Sequence, residues 1–316
     1  MSTALLFPGQ GSQHKGMGRD VAERHDWARE LWELAEKESG LALREIYWEG
    51  EAADMADTRA LQPALTVADM SLYLAARDRL SPMGVAGHSL GEYPALFAAG
   101  VLGEQDVLRA VCLRGRLMAE CGAPKEPAQT GEESGHGMAA VVKLPRERVE
   151  ELVAAAAASA GGVLVVANYN APAQTVVSGE AAPLAALAEA VKAAKGRAIP
   201  LAVSGAFHSP LIREAADEFA ALLRGLSWSA PSVPVFFDAT ARPEADPARI
   251  LEIMATQMTS SVRWVEIMAG LYEAGARTFV ELGPGNVLAK LAGQNLNGRD
   301  GVNALSVGSL EGLEAL

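Results

Sequence analysis

Ser89 lies within residues 87–93 (GHSLGEY), a pattern that can present a nucleophile. An apolar stretch precedes the segment, and a stretch of helical character follows it. Glycine two residues before and two residues after a serine is typical of a nucleophile elbow, because the turn from strand to helix is too sharp for side chains there. The helix N-terminus would offer unpaired N–H groups to an oxyanion. The same spacing also fits an ordinary turn, so the motif alone leaves both interpretations open.

A serine nucleophile needs a proton acceptor within hydrogen-bonding distance. Of the five histidines in the chain, His208 is the best candidate. It follows residues 199–207 (IPLAVSGAF), which we predict to form a strand, and it precedes Ser209 and Pro210, which suit a helix N-cap and a first helical position. The exits of strands are where α/β proteins gather their active sites. We therefore expect His208 to act as the base.

The other histidines are weaker candidates. His88 adjoins Ser89, but neighbouring side chains in such a turn point in different directions. His136 ends the segment 122–136, which is rich in glycine, proline and charge and is predicted to be a loop with solvated side chains. A purely structural role for His208 remains open at this stage.

Arg114 lies on the apolar face of a helix predicted at 104–120. Val107, Val111 and Met118 form its apolar stripe, and at about 100° per residue Arg114 projects into the same stripe. A guanidinium on a buried face is costly unless an anion neutralises it. That anion could be an aspartate or glutamate of the protein. It could also be a substrate carboxylate, gripped by both arms of the planar guanidinium.

Composition and charge exclude some classes of function. The chain has 316 residues and a net charge of −12, which argues against nucleic acid as the main partner because phosphate binding needs a positive field. Its two cysteines, Cys112 and Cys121, fit no metal spacing and suggest a reducing compartment. Residues 1–13 lack the pattern of a signal peptide, and no stretch is apolar enough for a membrane span. We expect a cytoplasmic protein.

The order of predicted elements divides the chain into two units. Residues 137–203 alternate as βαββαβ, the order of a ferredoxin-like unit. We therefore expect a small subdomain at 128–203, inserted into a large α/β catalytic domain formed by 1–127 and 204–316. Strands of the large domain are predicted at 3–7, before Ser89, at 234–239 and at 277–282; helices are predicted at about 18–39, 60–80 and 104–120.

Taken together, these segments resemble the malonyl-CoA:acyl-carrier-protein transacylases, acyltransferases of fatty-acid and polyketide synthesis. The resemblance runs along nearly the whole chain. The ordered set of motifs is specific, although no single motif is: FPGQGSQ (7–13), LQPAL (61–65), GHSLGEY (87–93), LRGRLM (113–118), NYNAPAQTVVSG (168–179), GAFHS (205–209), QMTSSVRW (257–264) and ELGPGNVL (281–288). The resemblance implies a hydrolase-like α/β core with a mostly parallel sheet and an inserted ferredoxin-like subdomain. This fold agrees with the order of helices and strands predicted above.

The resemblance also implies catalytic roles. Ser89 would be acylated, and His208 would be its base. The histidine would be oriented by a main-chain carbonyl near Gln257 rather than by an acidic side chain. The main-chain N–H groups of Gln10 and Leu90 would form the oxyanion hole.

A further set of residues would contact the acyl group. Arg114 would hold the malonyl carboxylate, and Gln62 would line the acyl pocket with Met118 and Gln257. Phe207 would crowd a branch at the acyl α-carbon, although plain core packing explains it too. The chain departs from the family pattern at Pro94, where a small residue is more frequent, and in the length of the loop at 122–136.

The partners implied are malonyl-CoA and an acyl carrier protein that bears phosphopantetheine, with no metal or redox cofactor and no membrane. We expect a monomer. Carrier proteins are typically acidic, as this chain is, so a local basic patch must outweigh the net charge. Two candidate patches are Lys192, Lys195 and Arg197, and Arg213 with Lys290.

Two rival functions remain. A serine esterase or thioesterase would need an acidic residue between nucleophile and base in the sequence, and no convincing one is found between Ser89 and His208. An inactive homologue that only binds would be expected to have lost Ser89, His208 or Arg114. Within the family, the same motifs serve fatty-acid synthesis, polyketide synthesis and malonate decarboxylation; fatty-acid synthesis is the default for a free-standing chain.

Overall fold

Two sheets organise the part of the chain that the structure, a computed structural model, describes: residues 2–121 and 135–314. The strands are β1 (Thr3–Phe7), β2 (Pro82–Gly87), β3 (His136–Val142), β4 (Leu164–Ala171), β5 (Gln174–Glu180), β6 (Arg197–Pro200), β7 (Val235–Phe236), β8 (Pro243–Glu244), β9 (Thr278–Leu282) and β10 (Asn303–Val307). The helices are α1 (Arg19–Arg24), α2 (Asp26–Ser39), α3 (Thr58–Ala76), α4 (Glu92–Ala98), α5 (Glu104–Cys121), α6 (Arg146–Ala160), α7 (Ala181–Ala193), α8 (Arg213–Leu223), α9 (Pro247–Thr256), α10 (Trp264–Glu273), α11 (Val287–Asn295) and α12 (Leu310–Glu314).

The larger sheet has the strand order β10-β9-β1-β2-β7-β8, and all neighbours are parallel except β7 and β8. Strand β1 is central and buried on both faces. Leu5 and Phe7 pack into one apolar core, and Ala4 and Leu6 pack into the core on the opposite face, as the two-residue period of a strand requires. This sheet is the predicted mostly parallel core, and its strands end next to Ser89.

Two predicted elements differ from the structure. The helix expected at 18–39 is two helices, because His25 between them is extended (φ −132°, ψ 121°). The strand expected at 234–239 is paired only at Val235–Phe236. Beyond it the chain turns back on itself, since Phe237 donates its N–H to Arg242 and accepts one from Ala241.

The smaller sheet has the order β4-β5-β3-β6 and is antiparallel throughout. With α6 and α7 it forms its own apolar core, so the ferredoxin-like arrangement is confirmed. It is tied to the rest of the chain where Tyr169 donates to the carbonyl of Val262 and Val262 donates to Ala167, both at 2.8 Å.

The proposed boundaries of the subdomain at 128 and 203 stay predictions. The first boundary lies outside the described residues, as does most of the predicted loop at 122–136. His136, which the sequence predicts to lie in that loop, is the first residue of β3. Within the described residues, no helix is long and apolar enough to cross a membrane.

Candidate active site

Ser89 occupies the tight turn between β2 and α4, as the glycine spacing predicts. A side-chain carbon on Gly87 would collide with the main chain of Gly91, and one on Gly91 would collide with the carbonyl of Phe7. Ser89 itself has φ 53°, in the left-handed region. A residue other than glycine costs about 1–3 kcal/mol in such a conformation. The fold therefore holds the serine in a strained turn that presents its hydroxyl.

His208 lies beside this serine although 119 positions separate them in the chain. Its Nε2 is 2.8 Å from Ser89 Oγ, and its Nδ1 is 2.8 Å from the carbonyl oxygen of Ser260. Because that carbonyl can only accept, it fixes the proton on Nδ1 and leaves Nε2 as the acceptor for the serine proton. The predicted carbonyl near Gln257 is thus that of Ser260, three residues further on.

The local environment of His208 differs from the prediction in one respect. The histidine does not end a strand, because β6 ends at Pro200. Instead, His208 adopts φ 56°, and its N–H donates to the carbonyl of Met258. Ser209 caps the following turn by accepting the N–H of Leu211, as predicted. The left-handed backbone of His208 and the cap at Ser209 therefore position the imidazole, and hydrogen bonds of a sheet do not.

Burial makes His208 a weak base. Desolvation, followed by the positive charge of Arg114, lowers the pKa of His208 to about 3. The ordinary histidine pKa of about 6.5 therefore does not apply to this buried imidazole. The imidazole is neutral throughout the physiological range and ready to accept a proton. An anion bound at Arg114 would offset the repelling charge and strengthen the base.

Arg114 is buried on α5, with 1% of its surface exposed. Its guanidinium donates to Gln62 Oε1 at 3.0 Å, to Gln257 Oε1 at 3.2 Å and to Ser89 Oγ at 3.1 Å. In the described part of the chain, no carboxylate lies within 4.0 Å of its nitrogens. Neutral oxygens therefore contact the guanidinium, while Glu92 and Asp238 attract it only from beyond salt-bridge distance.

Gln62 and Gln257 contact Arg114 and are not among the residues that line the cavity; their predicted contact with the acyl group stays a prediction. Gln62 also donates to Met118 Sδ at 3.1 Å. Gln257 donates to the carbonyl of Ser89 at 2.7 Å and to Glu92 at 2.8 Å. Both amides are 1% exposed. They orient the guanidinium and, through Gln257, the elbow.

Gln10 and Leu90 flank the serine as the motifs predict. A side-chain carbon on Gly9 would collide with the carbonyl of His88, so only glycine lets the loop before Gln10 approach the elbow this closely. Both residues line the cavity that contains Ser89. Neither main-chain N–H donates to another described residue. The two groups can therefore serve an oxyanion.

The cavity beside Ser89 has a volume of about 250 Å³. Met118 and Phe207 line it, as expected, at 3% and 4% exposure. The smaller sheet supplies the opposite wall, which combines apolar and amide side chains: Met138, Ala140, Val176, Asn168, Asn170 and Gln174. The amide side chains were not singled out from the sequence; their position is decided by the packing of the two sheets.

His88 points away from the serine, as expected. Its Nε2 is 2.8 Å from Asn170 Oδ1, and its ring packs on Trp264. Burial lowers its pKa below the ordinary value. Among the described residues, no group of three or more histidine, cysteine, aspartate or glutamate side chains is placed to bind a metal ion.

Sequence reasoning missed two buried acids, Glu92 and Asp238. Asp238 Oδ2 accepts the N–H of Ser89 at 2.7 Å, and Glu92 Oε1 accepts the N–H of Asp238 at 2.9 Å. Glu92 belongs to the GHSLGEY motif, and Asp238 follows an apolar stretch at the carboxyl end of a parallel strand. That position is one where functional side chains gather, and it is the signal that could have found Asp238.

The fold and this site define a class of protein: an α/β protein with a serine nucleophile, a histidine base oriented by a main-chain carbonyl, and a buried arginine beside the serine. Comparison with known proteins narrows the class. Residues 4–312 match the model of the acyl transferase domain family, and the chain belongs to that family.

Relatives match along their whole length. The chain is 37% identical over 317 residues to a malonyl CoA-acyl carrier protein transacylase of Synechocystis, with all of both chains covered. A crystal structure of an acyl carrier protein S-malonyltransferase from Vibrio cholerae superposes with a TM-score of 0.90 at 32% identity, covering 100% of this chain and 99% of that one. A malonyl-transacylase solved in complex with its type II PKS acyl-carrier protein gives 0.88 at 32% identity, with 100% and 98% covered.

Proposed function

We propose that the protein transfers the malonyl group from malonyl-CoA to the phosphopantetheine thiol of an acyl carrier protein, through a malonyl ester on Ser89. The observation that carries the proposal is Arg114. A buried cation that no carboxylate of the described residues contacts lies 3.1 Å from the nucleophile. A dicarboxylic acyl group supplies an anion for that contact at one end and an electrophilic thioester at the other. The names of the relatives support the same donor and acceptor.

The first half-reaction forms the ester. Arg114 holds the free carboxylate and brings the thioester carbonyl to Ser89. As Ser89 Oγ attacks this carbon, its proton moves to Nε2 of His208. The N–H groups of Gln10 and Leu90 receive the negative charge that develops on the carbonyl oxygen. The C–S bond then breaks, and His208 returns the proton to the departing thiolate of coenzyme A.

The second half-reaction repeats these steps in reverse order. His208 takes the proton of the phosphopantetheine thiol, whose sulfur attacks the malonyl ester. The C–O bond to Ser89 breaks, and His208 protonates Ser89 Oγ. The neutral imidazole of the substrate-free site suits both half-reactions, because each begins with a proton transfer to it.

An esterase or thioesterase is less well supported. His208 is oriented by the Ser260 carbonyl and not by the acid that such enzymes place third in their triad. A neutral ester would also leave the charge of Arg114 unmatched. Comparing hydrolysis of a neutral ester with malonyl transfer to a carrier thiol separates the two functions.

For the carrier protein we infer a basic contact surface near the entrance. Lys192 on α7, Arg197 on β6 and Lys195 in the turn between them are exposed, and Arg213 and Lys290 are exposed on α8 and α11. We infer fatty-acid synthesis as the pathway and the cytoplasm as the location. Charge reversal at each patch, assayed with carrier proteins of fatty-acid and of polyketide synthesis, tests both the docking site and the pathway.

Intact mass spectrometry after mixing with malonyl-CoA tests the proposed activity. We expect a malonyl adduct on the parent protein and none on Ser89→Ala. An adduct of equal yield on Ser89→Ala would exclude the nucleophile. A parent protein that stays unmodified while it binds malonyl-CoA would exclude the transferase function altogether.

A further inference from the structure

Two carboxyl groups lie together beneath the elbow, without a basic partner in salt-bridge distance among the described residues. Glu92 has no exposed surface, and 2% of Asp238 is exposed. The main-chain N–H of Asp238 donates to Glu92 Oε1 at 2.9 Å, which brings the two carboxyl groups close together. Two carboxylates this close in a buried site are costly to ionise together, because no cation among the described residues contacts either of them to offset their repulsion. The pair must therefore hold a proton.

The hydrogen bonds show where that proton belongs. Three of the four carboxyl oxygens accept a hydrogen bond from the protein. Asp238 Oδ2 accepts from the N–H of Ser89 at 2.7 Å. Glu92 Oε1 accepts from the N–H of Asp238 at 2.9 Å, and Glu92 Oε2 accepts from Gln257 Nε2 at 2.8 Å. The fourth oxygen, Asp238 Oδ1, is buried and has no partner in the described structure.

We propose that Asp238 is a protonated positioning residue for Ser89: its Oδ1–H donates to an ionised Glu92 while its Oδ2 accepts the Ser89 N–H and holds the serine in its left-handed conformation. With the proton on Asp238, the unpartnered Oδ1 becomes a hydrogen-bond donor to Glu92. Every N–H group that meets the pair then still meets an accepting oxygen. The reverse assignment, with the proton on Glu92, would place a hydroxyl on an oxygen that already accepts an N–H.

The pKa shifts of the two acids agree with a proton on Asp238 and a negative charge on Glu92. Burial raises the pKa of Glu92 to about 7, and burial together with the charge of Glu92 raises that of Asp238 well above its ordinary value. The titratable groups that interact with the pair are Arg114 and Tyr93. With one proton, the pair carries a single negative charge, which attracts Arg114 from beyond salt-bridge distance and leaves the guanidinium free to contact an anion. A second negative charge would oppose the binding of an anionic acyl group.

The substitution of each acid by its amide tests the assignment. Asp238→Asn reproduces a protonated aspartate, since the amide oxygen accepts the Ser89 N–H and the amide NH₂ donates to Glu92. Glu92→Gln removes one of two accepting oxygens and presents an NH₂ to a donor. We expect acylation by malonyl-CoA to stay within about threefold of the parent for Asp238→Asn and to fall by at least about tenfold for Glu92→Gln. Asp217→Asn, on the exposed face of α8, is the matched control.

A third variant separates positioning from simple structural support. Asp238→Ala removes the acceptor for the Ser89 N–H and leaves Arg114 in place. We expect kcat to fall about tenfold with little change in KM for malonyl-CoA, and the whole protein population to become acylated slowly. A fall in the acylated fraction instead of the rate would indicate partial unfolding and overturn the positioning role. Equal losses in both amide variants, or a tolerated Glu92→Gln with an inactive Asp238→Asn, would overturn the proton assignment.

The protonation state can be measured without activity. Infrared difference spectra at neutral pH should contain a carbonyl stretch of a protonated carboxylic acid in the parent that disappears in Asp238→Asn and persists in the Asp217→Asn control. Its absence from the parent-minus-Asp238→Asn spectrum would refute the proposal. Of the tests of this inference, only the kinetic assays depend on the proposed function, because they measure reaction with malonyl-CoA. If the parent fails to transfer malonyl, the proposed function fails, and the infrared result still decides where the proton lies.

Discussion

The hydroxyl oxygen of Ser89 lies 3.1 Å from Nη2 of Arg114 and 2.8 Å from Nε2 of His208. One oxygen thus contacts both the cation that is to bind the substrate and the base that is to activate the nucleophile. The positive charge favours an ionised serine oxygen, but it also lowers the pKa of the histidine. A carboxylate that binds Arg114 would relieve this second effect. Substrate binding and base strength are therefore coupled through a single guanidinium.

Arg114→Ala should remove the preference for malonyl over acetyl. A charge-assisted hydrogen bond contributes about 1.5–3 kcal/mol, so the ratio of kcat/KM for malonyl-CoA to that for acetyl-CoA should fall by about 10- to 100-fold. Rapid-quench acylation with each thioester measures the ratio. Arg116→Ala is the control, because Arg116 lies on the same helix with its guanidinium paired to Glu120 and Glu218 at the surface. An unchanged ratio in Arg114→Ala would refute its role.

The pH dependence of acylation should reveal the coupling. In the parent, His208 with a pKa of about 3 stays neutral, so kcat/KM for acetyl-CoA should show no loss from this group above about pH 5. In Arg114→Ala the repelling charge is gone and the pKa of His208 rises, although burial still keeps it below 6.5. In Arg114→Ala, the fall of kcat/KM for acetyl-CoA on the acid side should therefore occur at higher pH than in the parent. Acetyl-CoA is used because it has no carboxylate of its own, and superimposable profiles would contradict the coupling.

Gly91→Ala should disrupt the tight turn at Ser89 and destabilise the fold. The new side-chain carbon would meet the carbonyl of Phe7 on β1, and neither main-chain segment can move without breaking the sheet. We expect a loss of at least about 3 kcal/mol in the free energy of unfolding, measured by urea denaturation, together with loss of acylation. Gly293→Ala on α11 is the control, because nothing lies within 4 Å of its added carbon. A stable, active Gly91→Ala protein would show that the turn has more room than the structure indicates.

Phe207→Ala should admit a branched acyl group. The ring lines the cavity next to His208, and one excluded methyl group corresponds to about 1–3 kcal/mol. The ratio of kcat/KM for methylmalonyl-CoA to that for malonyl-CoA should rise about 10- to 100-fold. Leu201→Ala, which enlarges the same cavity on its other wall, tests whether volume alone suffices. An equal gain in both variants would assign selectivity to cavity size and not to Phe207.

Local patterns in the sequence determined much of this protein. The glycine spacing predicts the elbow at Ser89, the helical period places Arg114 on a buried face, and the βαββαβ order predicts the smaller sheet. Each of these signals comes from residues close in the chain, where backbone sterics and periodicity act directly. The roles of Ser89, His208 and Arg114 remain predictions that the experiments above test, although the structure does bring the three side chains together.

Only the tertiary structure decided which distant groups share the site. The Ser260 carbonyl that orients His208 is a main-chain group, and no side-chain pattern marks it. Glu92 and Asp238 each lie in a segment with a local signal, but only the fold brings them together across 146 positions and buries them. The pKa values follow from the same cause, since burial and the neighbouring charges, not residue type, set the cost of ionisation. Local sterics can be read along the chain, but desolvation and long-range charge depend on which segments pack together.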